Sequence, residues 1–228
     1  MSIKVKILRQ RTPLSEPYWE GFVYDGPDNN TIAGLLTLLN YNDDIVNDAG
    51  ENVPRISWEC SCLQASCGSC AMVINGRPAL ACETFIKDLK GDTITIEPLR
   101  KFPTVCDLVV DRSSIHQNLL KTNAYIKSYN PKEKESHEHQ YTAAKCLKCG
   151  LCLEVCPNYT GEGRFYGALF ANDSYLICAR NKEQSEEMHG IYDEHFARGC
   201  SKSLSCMEVC PMSIPTIASM AKMNRHKK

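Results

Sequence analysis

Cysteine spacing constrains this chain more than any other feature. Fourteen of its 228 residues are cysteine. Eleven of them fall into tight runs: Cys62-x4-Cys67-x2-Cys70-x11-Cys82, Cys146-x2-Cys149-x2-Cys152-x3-Cys156, and Cys200-x5-Cys206-x3-Cys210. The opening Met-Ser-Ile-Lys-Val-Lys-Ile alternates apolar and basic residues and has no continuous apolar stretch, so no secretory signal is expected. In a reducing compartment thiols stay free, and a chain of this length does not need disulfide staples. Many thiols under those conditions point to metal.

Composition removes several function classes. With 43% hydrophobic and 23% charged residues the chain can bury a core, which excludes disorder as its main state. Its 26 basic residues are balanced by 27 acidic ones, so it lacks the electrostatic footprint of a nucleic-acid binder. No run of about 18 apolar residues occurs, and no transmembrane helix is expected.

Periodicity divides the chain in two. Ile3, Val5 and Ile7 alternate with Lys4 and Lys6, which predicts a half-buried strand. Residues 19–24 predict a second, stopped by Asp25-Gly26-Pro27. From Asn30 the period becomes helical, with Ile32, Leu35, Leu36 and Leu39 on one face and Asn30 or Thr31 as cap. Residues 72–75 and 93–97 read as further strands, giving a small α+β domain. Beyond Pro98 and Pro103 the pattern is helical, with Leu108, Val109, Ile115, Leu119 and Leu120 in one helix reaching about Ile126. Residues 131–140 read as an exposed charged loop in which His137 and His139 are solvated. The predicted domains are 1–105, mostly strand, and 106–228, mostly helix.

Each cysteine run carries its own chemistry. Cys62, Cys67 and Cys70 with the more distant Cys82 have the plant-type [2Fe–2S] spacing. A zinc site favours paired Cys-x2-Cys units, and only one such pair occurs there. Gly68 lies between two ligands, where a side chain would crowd the cluster. The second run, closed by Pro157, has the bacterial ferredoxin spacing, whose fourth cysteine serves the other cluster of a pair. The partner half is Cys200, Cys206 and Cys210, followed by Pro211. Crossing the halves assigns Cys146, Cys149, Cys152 and Cys210 to a [4Fe–4S] cluster and leaves Cys156, Cys200 and Cys206 for the other. Ser203 stands where an unbroken run would place a further cysteine. Three thiolates fit a [3Fe–4S] cluster; the alternative is a serine alkoxide on a fourth iron. Cys60, Cys106 and Cys178 read as small packing residues.

A [2Fe–2S] half followed by a two-cluster half with one cysteine missing resembles the iron–sulfur subunit of succinate dehydrogenase and fumarate reductase. The resemblance spans essentially the whole chain. Its most specific stretches are Ser61-Cys62-Leu-Gln-Ala-Ser-Cys67-Gly-Ser-Cys70, Leu80-Ala-Cys82, Asp107-Leu-Val-Val-Asp111, the run from Cys146 to Pro157, and Cys206-Met-Glu-Val-Cys210-Pro211. It implies a plant-type ferredoxin (β-grasp) domain followed by a mainly α-helical bacterial-ferredoxin-like domain with two clusters. It further implies a flavoprotein partner with FAD and the dicarboxylate site, and a membrane anchor, often haem-bearing, where quinone reacts. The subunit would then sit peripherally on the cytoplasmic face of the membrane. It would relay single electrons and hold no catalytic residue of its own for dicarboxylate chemistry. Ubiquinone-linked relatives carry Trp and His where this chain has Thr160 or Gly161 and Ser201, which leans the reading towards menaquinone. Lys222 lies near the position of a quinone-side lysine in fumarate reductases and is a candidate quinone-site residue. Rival readings are the same relay in a flavoprotein reductase using another enoate or a thiol donor, and a free ferredoxin-like carrier. The apolar stretch at residues 214–223 favours permanent interfaces over the free carrier.

Overall fold

The computed structural model describes residues 2–41, 44–131 and 137–227. They form two compact units, Met1–Asp111 and Arg112–Lys228.

The first unit is built on a five-stranded mixed sheet in the order β2 (Tyr18–Tyr24), β1 (Ile3–Arg9), β7 (Thr93–Glu97), β5 (Ala71–Ile74) and β6 (Arg77–Leu80). Strand β1 (Ile3–Arg9) buries Ile3, Val5, Ile7 and Arg9 on one face, as its alternation predicts. It pairs antiparallel with β2 (Tyr18–Tyr24) and parallel with β7 (Thr93–Glu97). Helix α1 (Ile32–Leu39) starts at Thr31, whose hydroxyl accepts the Gly34 N–H at 3.1 Å. It buries Ile32, Ala33, Leu35 and Leu36. The short strands β3 (Ile45–Val46) and β4 (Asn52–Val53) pair with each other.

Strand β5 (Ala71–Ile74), buried at every residue, pairs with β7 and with β6 (Arg77–Leu80). Sequence periodicity misses β6. Pro78 interrupts its pattern, yet as an edge strand it tolerates a residue that cannot donate to a ladder. The turn before it, Asn75 at φ +47° and Gly76 at φ +76°, is the left-handed Asn-Gly pair of a tight hairpin.

Residues 104–110 are not helical. They form an antiparallel pair, β8 (Thr104–Cys106) and β9 (Val109–Val110), turning at Asp107 with φ +48°. The helix expected over Leu108 and Val109 begins only with α2 (Ser113–Lys121). Apolar spacing alone cannot separate a turned strand pair from a helix.

In the second unit α5 (Gly167–Arg180) is buried at eleven of its fourteen residues, as a helix surrounded by other elements must be. Around it lie α3 (His137–Ala144), α4 (Leu151–Glu154), α6 (Ser185–Tyr192) and α8 (Thr216–Met223). A π-helical turn, Asp193–Ala197, extends α6, and α7 (Ser205–Glu208) sits within the third cysteine run. Gly167 opens α5 at φ +75°, where an added Cβ would stand 2.2 Å from Leu153 of α4.

Two expectations need correction. Of the predicted loop 131–140, residues 132–136 lie outside the described residues, and residues 137–140 belong to α3. The His139 ring is not solvated. It packs on Tyr175 with centroids 4.6 Å apart, and its Nε2 lies 3.1 Å from Ser219 Oγ. Much of the apolar stretch at 214–223 is internal packing: Ile214, Met220 and Met223 are buried, while Ile217 is exposed. Among the described residues no helix is long and apolar enough to cross a membrane.

Candidate metal centres

The loop from Cys62 to Cys70 coils so that its own amides face its sulfurs. Gln64 and Ser66 donate backbone N–H groups to Cys62 Sγ at 3.4 and 3.3 Å. Ala65 donates to Cys82 Sγ at 3.2 Å, and Ser69 to Cys67 Sγ at 3.5 Å. Cys70 and Cys82 bring their sulfurs within 3.3 Å of each other. The coil requires left-handed backbone at Leu63 (φ +54°), Ala65 (φ +56°) and Gly68 (φ +78°). For Leu63 and Ala65 that conformation is strained, and such strain persists where function needs the shape.

In the second unit the thiols gather in two cavities. Cys146, Cys149, Cys152 and Cys210 line one, with Leu147, Leu169 and Ile214 among its apolar walls. Cys156, Cys200 and Cys206 line the other, with Ser203, Phe165 and Phe196. Each cavity therefore draws on both the 146–156 and the 200–210 segments. Left-handed residues recur here, at Lys148 and Gly150 in the first segment and Lys202 and Leu204 in the second. The Ile214 N–H points to Cys210 Sγ at 3.5 Å.

The surroundings shift the thiols in opposite directions. Burial pushes Cys70 up to about 12 and Cys149 and Cys206 up to about 11. Cys146 and Cys152 are also raised by burial. Cys67 is drawn down to about 6, first by the Ser69 hydroxyl and then by backbone N–H groups. The thiols that burial raises keep their protons until metal replaces them, and Cys67 is the exception.

Among the described residues no group of three or more His, Cys, Asp or Glu side chains is arranged around a single metal ion. Seven thiols of the second unit stand instead around the walls of two cavities. That arrangement suits a polynuclear iron–sulfur core, in which separate irons each take a thiolate and amides donate to sulfur. The remaining cysteines stand apart from these sets. Cys60 is exposed, Cys106 donates to Ser57 Oγ at 3.4 Å, and buried Cys178 lies 3.8 Å from the Ser185 carbonyl.

Comparison with known proteins finds iron–sulfur relatives over both halves of the chain. Residues 4–117 match the family described as "2Fe-2S iron-sulfur cluster binding domain", and residues 142–214 match "4Fe-4S dicluster domain". The succinate dehydrogenase iron-sulfur subunit of Bacillus subtilis is 34% identical over 98% of this chain and 92% of its own length. The fumarate reductase iron-sulfur subunit of Haemophilus influenzae is 31% identical over 93% of this chain and 88% of its own. A chain of the Mycobacterium smegmatis Sdh1 complex in the apo form shares the fold, with a TM-score of 0.73 at 23% identity over 99% of this chain and 97% of that one.

Proposed function

The chain belongs to the iron–sulfur subunits of succinate dehydrogenase and fumarate reductase, and from that membership we propose which thiols hold which centre and what the relay connects. Cys62, Cys67, Cys70 and Cys82 hold the [2Fe–2S] centre. Cys146, Cys149, Cys152 and Cys210 hold the [4Fe–4S] centre, and Cys156, Cys200 and Cys206 the [3Fe–4S] centre. The first centre lies in the domain predicted as 1–105 and the other two in 106–228. When bound, such clusters carry single electrons between the two-electron chemistries of flavin and quinone.

The chain's own contribution is physical. Amide N–H groups aimed at Cys62, Cys67 and Cys82 stabilise negative charge on sulfur. Apolar walls such as Leu169 and Ile214 keep water away and fix the local dielectric. No side chain here acts as acid, base or nucleophile towards a dicarboxylate. That chemistry falls to a flavoprotein partner carrying FAD. The opposite end of the relay meets a membrane anchor, which holds quinone of the menaquinone type and in many relatives haem. The chain is then peripheral, on the cytoplasmic face. Lys222 is proposed for the quinone side; its Nζ lies 5.5 Å from the centroid of the Tyr175 ring.

The observation that carries this reading is the crossing of the two cysteine segments into two shared cavities. Iron and acid-labile sulfide analysis of the loaded chain tests it, with about nine irons expected from centres of two, four and three. EPR of oxidised and reduced samples identifies each centre. An oxidised sample without a three-iron signal would overturn the assignment of Cys156, Cys200 and Cys206.

A further inference from the structure

We propose that the ion pair between Lys148 and Asp173 sets the reduction potential of the four-iron centre, the lysine raising it and the aspartate limiting the rise. This rests on Cys146, Cys149, Cys152 and Cys210 being the ligands of that centre.

Lys148 lies between two of those thiols in sequence, and the loop fixes its place. Its φ of +54° is a left-handed conformation that a residue with a side chain adopts only under constraint. Lys148 lines the same cavity as the four thiols. Its ammonium donates to both carboxylate oxygens of Asp173, which projects from the central helix α5. The two side chains are only 23% and 14% exposed, so salt and water screen them weakly.

Both charges are tied to the thiol cavity by geometry. Lys148 forms part of the wall that the four thiols line, and its ion pair holds Asp173 against it. A cluster that takes up one electron gains one negative charge. The same cation therefore favours the reduced centre, and the same anion opposes it. The step involves one electron, with no bond made and no proton moved. Other charges stand nearby: Arg112 donates to the Cys149 carbonyl at 3.4 Å, and His116 acts electrostatically on Asp173. They set a background that variants at 148 and 173 leave in place.

The test is an EPR-monitored redox titration of the cluster-loaded full chain, in the complex with which it purifies, at one fixed pH. Asp173→Asn is expected to raise the four-iron potential and Lys148→Met to lower it. Each change should be at least threefold in the one-electron reduction equilibrium and of the order of tenfold, about 59 mV. Lys148→Arg keeps the charge and should stay within threefold of the parent, and the [2Fe–2S] potential should not move. A purely structural tie between loop and helix would shift both charge variants in one direction. That result, or a change under threefold in either, overturns the proposal. If Lys148→Met does not retain the centre, Asp173→Asn decides alone: an upward shift supports the proposal, and no shift or a downward one overturns it. A parent chain without a four-iron signal would instead overturn the ligand assignment, before any variant is compared.

Discussion

Arg9 and Asp107, 98 positions apart in the chain, form an ion pair with both side chains fully buried. Arg9 Nη2 lies 3.0 Å from Asp107 Oδ2, and Nε lies 2.9 Å from Oδ1. The guanidinium also donates to the carbonyls of Pro54 and Arg55 and to Glu20. The carboxylate accepts the N–H groups of Gln10 and Ser57. One buried pair thus ties β1, the turn between β8 and β9, and the segment that leads into the Cys62 loop. Asp107→Asn keeps a side chain that tolerates left-handed backbone, but it leaves the Arg9 charge short of a partner. Breaking such a pair costs about 3–5 kcal/mol, and the retained Glu20 contact places this case at the lower end. Thermal or denaturant unfolding of the loaded chain measures it. A loss below about 1 kcal/mol, the range of exposed pairs, would show that the network is not under tension from burial.

Cys210→Ala is expected to abolish the four-iron centre, although residue 210 is far in sequence from Cys146, Cys149 and Cys152. The three-iron signal should persist. EPR of reduced and oxidised samples reads both. If only the three-iron signal is disturbed, the crossed ligand assignment is wrong.

Ser203→Cys adds a thiol to the cavity that Cys156, Cys200 and Cys206 already line. It is expected to convert the three-iron centre to [4Fe–4S] and to lower its potential, since cluster type is a main determinant of potential. For one electron, about 59 mV changes an equilibrium tenfold. Quinone-linked turnover should then fall more than dye-linked turnover. An unchanged three-iron signal would show that residue 203 does not supply the missing corner.

Two substitutions gauge α1, whose Ala33 N–H donates to the carbonyl of Ala81 at 2.9 Å. Thr31→Ala removes the hydroxyl that accepts the Gly34 N–H and should cost about 1 kcal/mol. Leu35→Ala, at a fully buried position, should cost about 2–5 kcal/mol through lost contacts and a residual cavity. Denaturant titration of the loaded chain ranks them, and the reverse order would count against the packing described for this helix.

The fold was legible wherever a single local pattern governs an element. Ile3, Val5 and Ile7 announce β1 because one face of that strand is buried and the other wet. Ile32, Leu35 and Leu36 announce α1 for the helical counterpart of that reason. Legibility failed where tertiary context overrides the period. Pro78 hides an edge strand that Asn75-Gly76 would have revealed. Leu108 and Val109 mimic a helix because Asp107 turns the chain left-handed between two strands too short to show alternation. His139 looked solvated among charged neighbours, yet α3 turns it towards Tyr175. The iron chemistry was readable because thiol spacing within each run is a local property. The pairing of Lys148 with Asp173 was not, since it depends on how α5 packs against the cysteine loop.

The crossing of the two cysteine segments also bears on how the protein is made. The sulfurs of Cys62, Cys67, Cys70 and Cys82 all lie within the first 82 residues, so that loop can close while later residues are still being synthesised. Neither cavity of the second unit exists until residues 200–210 have emerged and folded back on residues 146–156. On the proposed ligand assignment, iron insertion at those two sites waits until residue 210 has left the ribosome. A chain truncated before Cys200 would keep its first site and lose both of the others together.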